Sequence, residues 1–258
     1  MRRVELAGGV RMPVVGLGTA GLLGESGYAA VRGGLDAGYR SIDTATAYRN
    51  EAAVGRALRD CGVDRSDVVV TTKLPPEEAG REQAVLDASL RALGVDFVDL
   101  WLVHWPPGGG AAVATWEAFL AAREAGKVRA VGVSNYTLGQ VDELTAATGV
   151  APAVNQIPWS PARHDPATLA AARERGVVVE GYSPLRRTDL THPALTAAAA
   201  AHAVTAAQVV LAWHLHHGVV VIPRSGDPVR QRANLAAGGL ALTEPEIAAI
   251  DAISGHLA

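Results

Sequence analysis

An α/β chain closed into a single (β/α)8 TIM barrel, opened by an N-terminal β-hairpin and carrying short loops at its C-terminal face, is the fold this sequence predicts. Three observations carry that reading. Short apolar runs rich in β-branched residues, each bounded by turn residues, end near positions 18, 43, 73, 104, 134, 156, 182 and 223, as buried strands would. Stretches of helical spacing separate them, and one strand-plus-helix unit takes roughly 30 residues. No composition break or low-complexity linker divides the 258 residues, and barrels of this kind commonly reach about 250 residues as one domain. Eight alternating units fit a closed barrel better than an open sheet, so residues 1–258 are read as one domain.

Taken in order, Val4 to Met12 reads as a hairpin turning at Gly8-Gly9. Val14 to Thr19 is the first barrel strand. Helical spacing follows over 26–37 and 50–61, where Asn50-Glu51 suits a cap followed by an acid. Residues 81–93 and 111–125 form the next two helices, closed by Gly94 and Gly126, the usual left-handed stops. Arg129 to Ser134 is a strand and 137–147 a helix. Ala153 to Gln156 is a short strand, and 166–175 is a helix with Pro166 at its start. Val177 to Tyr182 is the seventh strand. Helices over 192–202 and 205–217 lead to Val219–Pro223, and helices near 227–236 and 243–253 complete the chain.

Composition removes several classes of function. Apolar residues make up 49% and charged ones 19%, enough for a core and against disorder. A net charge of −3, without basic runs, gives no electrostatic reason for nucleic-acid binding. The start Met1-Arg2-Arg3 leads into a glycine-broken stretch unlike a signal peptide, and no apolar run has the length of a membrane span. Cys61 is the only cysteine, so no internal disulfide forms; it reads as an inert thiol. The expectation is a soluble, cytoplasmic protein.

The chemistry gathers at three strand ends. Asp43 follows Tyr39–Ile42 and opens Asp43-Thr44-Ala45-Thr46-Ala47-Tyr48; Lys73 follows Val68–Thr72; His104 follows Leu100–Val103. Asp43 to Lys73 and Lys73 to His104 are 30 and 31 residues apart, so an acid, a phenol, an amine and an imidazole share one sheet edge. That edge is where such folds carry their active sites. A phenol has an ordinary pKa of about 10, and a neighbouring ammonium favours its ionised form. Making it a hundredfold more acidic requires about 2.7 kcal/mol, and one charge at ~4 Å supplies about 4 kcal/mol at an effective dielectric of 20. Asp43 would hold Lys73 charged, and His104 would orient a carbonyl oxygen gaining negative charge. With no nucleophile–base motif or metal set evident, a cofactor hydride is the natural attacker at carbon. Each residue alone also fits a structural role, as ion pair, packing aromatic or core imidazole. Four together at adjoining strand ends favour chemistry.

Two other patterns weigh less. Gly16-Leu17-Gly18-Thr19-Ala20-Gly21 matches G-x-G-x-x-G, but Pro13 interrupts the run before it and Leu22-Leu23-Gly24 follows where a helix should start. No tyrosine has lysine four residues later, so a short-chain dehydrogenase is disfavoured. His214, His216 and His217 lack the i, i+4 spacing of a zinc pair.

The ordered series Gly16-Leu17-Gly18-Thr19, Asp43 to Tyr48, Thr72-Lys73, Leu102-Val103-His104-Trp105-Pro106, Gly132-Val133-Ser134-Asn135, Asn155-Gln156, Tyr182-Ser183-Pro184-Leu185 and Ile222-Pro223-Arg224-Ser225 with Arg230 and Asn234 resembles the aldo-keto reductase family over nearly the whole chain. It is most similar to the short bacterial members that include the diketogluconate reductases. The resemblance implies a monomer that carries out NADPH-dependent reduction of small-molecule aldehydes or ketones, with Tyr48 as general acid, Lys73 and Asp43 tuning it and His104 orienting the carbonyl. It implies that Ser134, Asn135 and Gln156 bind the nicotinamide carboxamide and that Tyr182 stacks on its ring. Arg224, Ser225 and Arg230 would take the 2′-phosphate, beside a helix N-terminus that suits an anion, with Asn234 near the adenine. Gly18, Thr19, Asp43, Ser183 and Leu185 would complete the cofactor site, and Ala20, Tyr48, His104 and Trp105 the substrate site.

Departures accompany the resemblance. Ala20 stands where many relatives have Trp, Arg224 where Lys is usual, Ala233 where some have an acid, Pro158 where an acid is frequent and Tyr136 where Phe is common. The glycine-rich loop Pro106–Gly110 and the chain's end at Ala258 suggest an open site with loose specificity. The alternative is an NADP(H)-binding regulatory or sensor module with little turnover, against which the intact Asp43, Tyr48, Lys73 and His104 argue.

Overall fold

The computed structural model describes residues 2–253. The chain opens with an antiparallel hairpin, β1 (Arg3–Glu5) paired to β2 (Arg11–Pro13). Among the described residues eight parallel strands follow in chain order: β3 (Leu17–Gly18), β4 (Ser41–Asp43), β5 (Val69–Leu74), β6 (Val98–Val103), β7 (Val128–Ser134), β8 (Val154–Pro158), β9 (Val178–Tyr182) and β10 (Val220–Val221). Each pairs with its sequence neighbour. The ends of the series also meet. Val15 bridges Val221 and Gly18 bridges Arg224, while the Gly16 N–H donates to the Val221 carbonyl at 2.8 Å. A Cβ on Gly18 would sit 2.6 Å from the Ile222 carbonyl oxygen, so this seam requires glycine. The first and last strands are shorter than expected because pairing across the seam is reduced to these isolated bridges.

Among the described residues ten helices clothe the barrel: α1 (Gly24–Ala37), α2 (Glu51–Asp60), α3 (Glu82–Leu93), α4 (Val113–Glu124), α5 (Leu138–Thr148), α6 (Pro166–Glu174), α7 (Pro193–Ala201), α8 (Ala206–His216), α9 (Pro228–Ala236) and α10 (Glu244–Asp251). Their boundaries follow local chemistry. Gly38, Gly94 and Gly149 end helices with φ of 107°, 67° and 74°, and Thr137, Thr205 and Thr243 open helices with reciprocal capping boxes. Asn50 departs from expectation. It precedes α2 but makes no capping bond, because its side chain turns inward to other partners.

The two-residue period of the strands separates two apolar layers. Ile42, Val70, Trp101, Val103 and Val179 face outward onto Leu35, Val54, Leu86 and Phe119 of the helices. Trp101 stacks on Phe119 with ring centroids 3.6 Å apart. Inside, Leu100, Leu102, Ala130, Val154 and Val220 meet Leu6, Val10 and Met12 from the hairpin, which plugs the end where the strands begin. Alternation then aims Asp43, Lys73, Gln156 and Glu180 inward at the opposite end. Among the described residues no single helix is long and apolar enough to cross a membrane; α7 and α8 would qualify only together, and they bend by 94° at their break. The expectation drawn from the end at Ala258 falls on residues 254–258, outside the described residues.

Candidate active site

Register brings the site together. Asp43 lies opposite Thr71 on β5, so Lys73, two residues on, projects inward from the same strand end. Lys73 is fully buried, and its Nζ donates to both Asp43 carboxylate oxygens at 2.7 Å and to the Thr44 carbonyl at 2.9 Å. Those bonds use the three ammonium hydrogens, and the Tyr48 hydroxyl stands farther off, at 3.5 Å. Tyr48 ends a short 3-10 turn, Thr46–Tyr48, closed by Arg49 at φ 55°. Asn50 braces that turn. It accepts from the Thr44 hydroxyl at 2.6 Å and donates to the Thr19 and Leu22 carbonyls at 2.9 Å each. The His104 ring meets the Tyr48 ring edge-on, with centroids 5.7 Å apart.

Burial governs the electrostatics. It pushes the Tyr48 phenol above its ordinary value, and the opposing pull of Lys73 does not overcome it. The expected net lowering is therefore corrected: the ammonium's hydrogens go to Asp43 and Thr44, leaving Tyr48 mainly its field. Burial opposes the charge on Lys73, but the Asp43 carboxylate and Tyr48 outweigh it and raise the amine. His104 is lowered to about 4 by burial and by Lys73, so the imidazole is neutral at pH 7.

Across the barrel mouth lie the amides. Ser134 donates from Oγ to the Gln156 carbonyl at 2.8 Å. Asn135, at φ 64°, donates from Nδ2 to the His104 carbonyl and accepts at Oδ1 from the Tyr182 hydroxyl at 2.9 Å. Gln156 Nε2 donates to Asp43 Oδ2 at 2.8 Å and to Glu180 Oε2 at 2.7 Å. Glu180 is fully enclosed, and burial, with Asp43 nearby, pushes it up to about 8.

These walls enclose a cavity of about 570 Å³. Asp43, Tyr48, His104 and Trp105 line one part of it, and Ser134, Asn135, Gln156, Tyr182, Ser183 and Leu185 another. Gly18, Ala20 and Arg224 complete the rim. Trp105 is 49% exposed there. Lys73 stands behind Asp43, and Thr19 is buried with its hydroxyl on the Asp43 carbonyl at 2.8 Å; neither lines the cavity. Ser225, Arg230 and Asn234 lie outside its wall as well. Arg224 donates to the Ala20 carbonyl at 3.0 Å, while the Arg230 side chain is 76% exposed, its Nε 3.7 Å from Asp227. The expected anion-binding start of α9 is already occupied. Asp227 Oδ1 accepts from the Val229 and Arg230 N–H groups at 2.8 and 3.0 Å.

Sequence reasoning missed Glu180 and Arg186, both associated with this mouth. Arg186 lines the cavity from the loop after β9. A lone acid following Val177-Val178-Val179 in a buried strand was the signal for Glu180. Of the histidines near 214, His214 is buried with its ring nitrogens against the Val210 and Trp159 carbonyls, and His217 bonds Asp251 at 2.8 Å. Among the described residues no group of three His, Cys, Asp or Glu side chains could hold a metal ion.

A barrel with this constellation at the carboxyl ends of its strands has the frame of an oxidoreductase. Residues 14–255 match the family model described as "Aldo/keto reductase family", and the chain belongs to that family. It is 45% identical to 2,5-diketo-D-gluconic acid reductase B of Corynebacterium sp. (strain SHS752001), over 93% of this chain and 87% of that one. An aldo/keto reductase from Brucella melitensis superposes with a TM-score of 0.94 at 35% identity, covering 98% and 97% of the two chains. A Bombyx mori aldo-keto reductase solved in complex with NADP superposes at 0.92 with 29% identity, covering 98% and 92%.

Proposed function

We propose that the chain reduces aldehydes or ketones to alcohols with NADPH, Tyr48 delivering the proton. One observation carries this reading: the Tyr48 hydroxyl, backed by the Lys73–Asp43 pair and beside a neutral His104, faces the same cavity as Ser134, Asn135 and Gln156.

NADPH suits this donor set. Both Gln156 amide hydrogens are engaged, which leaves its carbonyl oxygen to accept from a carboxamide, and Ser134 and Asn135 add polar groups beside it. Tyr182 offers an aromatic face, anchored by its hydroxyl on Asn135. Gly18, Ser183 and Leu185 would frame the cofactor. Arg224 and Arg230 are exposed guanidinium groups able to pair with a 2′-phosphate, aided by Ser225, with Asn234 toward the adenine. Because Asp227 caps α9, the phosphate would depend on these side chains more than on the helix N-terminus. When bound, NADPH supplies the hydride that adds to the carbonyl carbon.

The chain's own residues do the rest. Neutral His104 donates an N–H to the carbonyl oxygen without bringing a positive charge to the site. Tyr48 is held protonated by burial and gives its proton to the oxygen as negative charge builds there. The buried Lys73 ammonium then stabilises the phenolate left behind. Ala20 and Trp105 would border the substrate, and the small Ala20 favours breadth over selectivity.

Loss of reduced-nicotinamide absorbance across a panel of aldehydes, diketones and keto-sugars tests the reading. NADPH is consumed in preference to NADH. Arg224→Ala with Arg230→Ala raises KM for NADPH by about ten- to a hundredfold, the worth of one or two charge-assisted bonds, and leaves NADH use little changed. Binding of NADPH by fluorescence with no carbonyl reduced would refute the catalytic reading.

A further inference from the structure

Glu180 is a buried acid that the mechanism above leaves unused. It projects from the middle of β9 into the barrel, 0% exposed, level with Gln156 on β8 and Val220 on β10. Its Oε2 accepts from Gln156 Nε2 at 2.7 Å; its Oε1 is buried without a hydrogen-bond partner among the described residues. Among the described residues no cation bonds to it. The Lys73 hydrogens go to Asp43 and Thr44. A carboxylate there would be an enclosed, uncompensated charge beside the Asp43–Lys73 pair, which already balances itself. A carboxylic acid fits the same space.

We propose that Glu180 is a positioning residue of this site: an uncharged acid that, together with Asp43, grips both amide hydrogens of Gln156 so that only the Gln156 carbonyl oxygen is left to face the cavity. The inference rests on the reductase reading for what that oxygen meets, though not for the state of Glu180 itself. Two acceptors on one amide nitrogen fix the orientation of the side chain. The arrangement also sets a limit on the site. Once Glu180 ionises, near pH 8, a second negative charge acts on Asp43, Lys73 and Tyr48, and it makes the phenol a weaker acid. These are the titratable groups whose charge Glu180 feels or disturbs. β8 and β10 present Gln156 and Val220 to it, and His104 is uncharged in this range.

Glu180→Gln reproduces the shape of the uncharged acid, and Glu180→Leu removes the acceptor. Thermal unfolding of the cofactor-free proteins tests the protonation state directly. An acid with an ordinary value of 4.5 and a folded value near 8 takes up its proton only in the native state between those limits, so wild-type stability declines as pH rises through that window. The Tm of Glu180→Gln therefore gains steadily on wild type from pH 5 to 8 and levels off above it. A constant difference in Tm would overturn the proposal. Fluorescence titration with NADPH tests the positioning. Glu180→Gln binds within about threefold of wild type and Glu180→Leu about tenfold or more weakly, the scale of one lost charge-free or charge-assisted bond. Wild-type affinity in Glu180→Leu would overturn it. In turnover, Glu180→Gln keeps its reduction rate above pH 8 where wild type falls, and a shared alkaline decline would count against the charge effect. If the wild-type protein reduces no carbonyl, the reductase reading fails while the Tm comparison still decides the state of Glu180.

Discussion

At the scale of single residues, the site depends on one buried charge pair and several groups held neutral. Removing Lys73 leaves Asp43 enclosed without its cation, so Lys73→Met should cost about 3–5 kcal/mol in urea unfolding. The Asp43→Asn, Lys73→Met double variant should cost less than the sum of the two singles, since their interaction is removed only once. His104 and His214, each lowered to about 4 by burial, stay unprotonated in the fold while the unfolded chain takes up protons near 6.5. Their contribution to stability is therefore complete above pH 6.5 and is lost as pH drops toward 4. His104→Gln should flatten part of that fall in Tm measured over pH 4 to 7; an unchanged acid slope would contradict a neutral, buried His104. Asp43, Tyr48, Lys73 and His104 were legible in the sequence because strand ends and their spacing identify an edge. Two things were not: the turn of Asn50 away from its helix, and the distribution of the Lys73 hydrogens. Both depend on which neighbours a side chain meets in three dimensions, which propensity does not encode.

Whole elements follow local chemistry closely. The expected helices differ from those found by one or two residues at most ends, because glycine stops and threonine caps act within a single turn. Thr205→Ala removes a capping box at α8 and should cost about 1 kcal/mol of stability while leaving reduction unaffected, a comparison that calorimetry and the absorbance assay settle together. The α2–α3 contact is tighter than the sequence reveals. A Cβ on Gly55 would run into the Leu93 backbone carbonyl. Gly55→Ala should therefore destabilise by about 1–3 kcal/mol through overpacking, despite alanine's better helix propensity. An increase in Tm would mean that the two helices separate more readily than their contact implies. Glu180 escaped notice for a related reason: a strand in a closed barrel has one face on the helices and one on the interior, and the sequence does not mark which interior level lies under the site.

Across the whole molecule, closure connects fold to chemistry. The seam between β3 and β10 joins the loop that carries Ala20 to the segment that carries Arg224, and Gly18 allows the approach. Parallel pairing of consecutive strands then carries Asp43, Lys73, His104, Ser134, Gln156 and Tyr182 around one mouth. Tyr48 as the proton donor is the centre of the chemistry proposed for that ring. Steady-state oxidation of NADPH with a reducible carbonyl, run on wild type and Tyr48→Phe with NADPH binding followed by fluorescence in both, tests it most directly. Tyr48→Phe should bind NADPH as wild type does and lose about 10²- to 10⁴-fold in kcat, the usual worth of a positioned general acid. A Tyr48→Phe protein that turns over at the wild-type rate would contradict it.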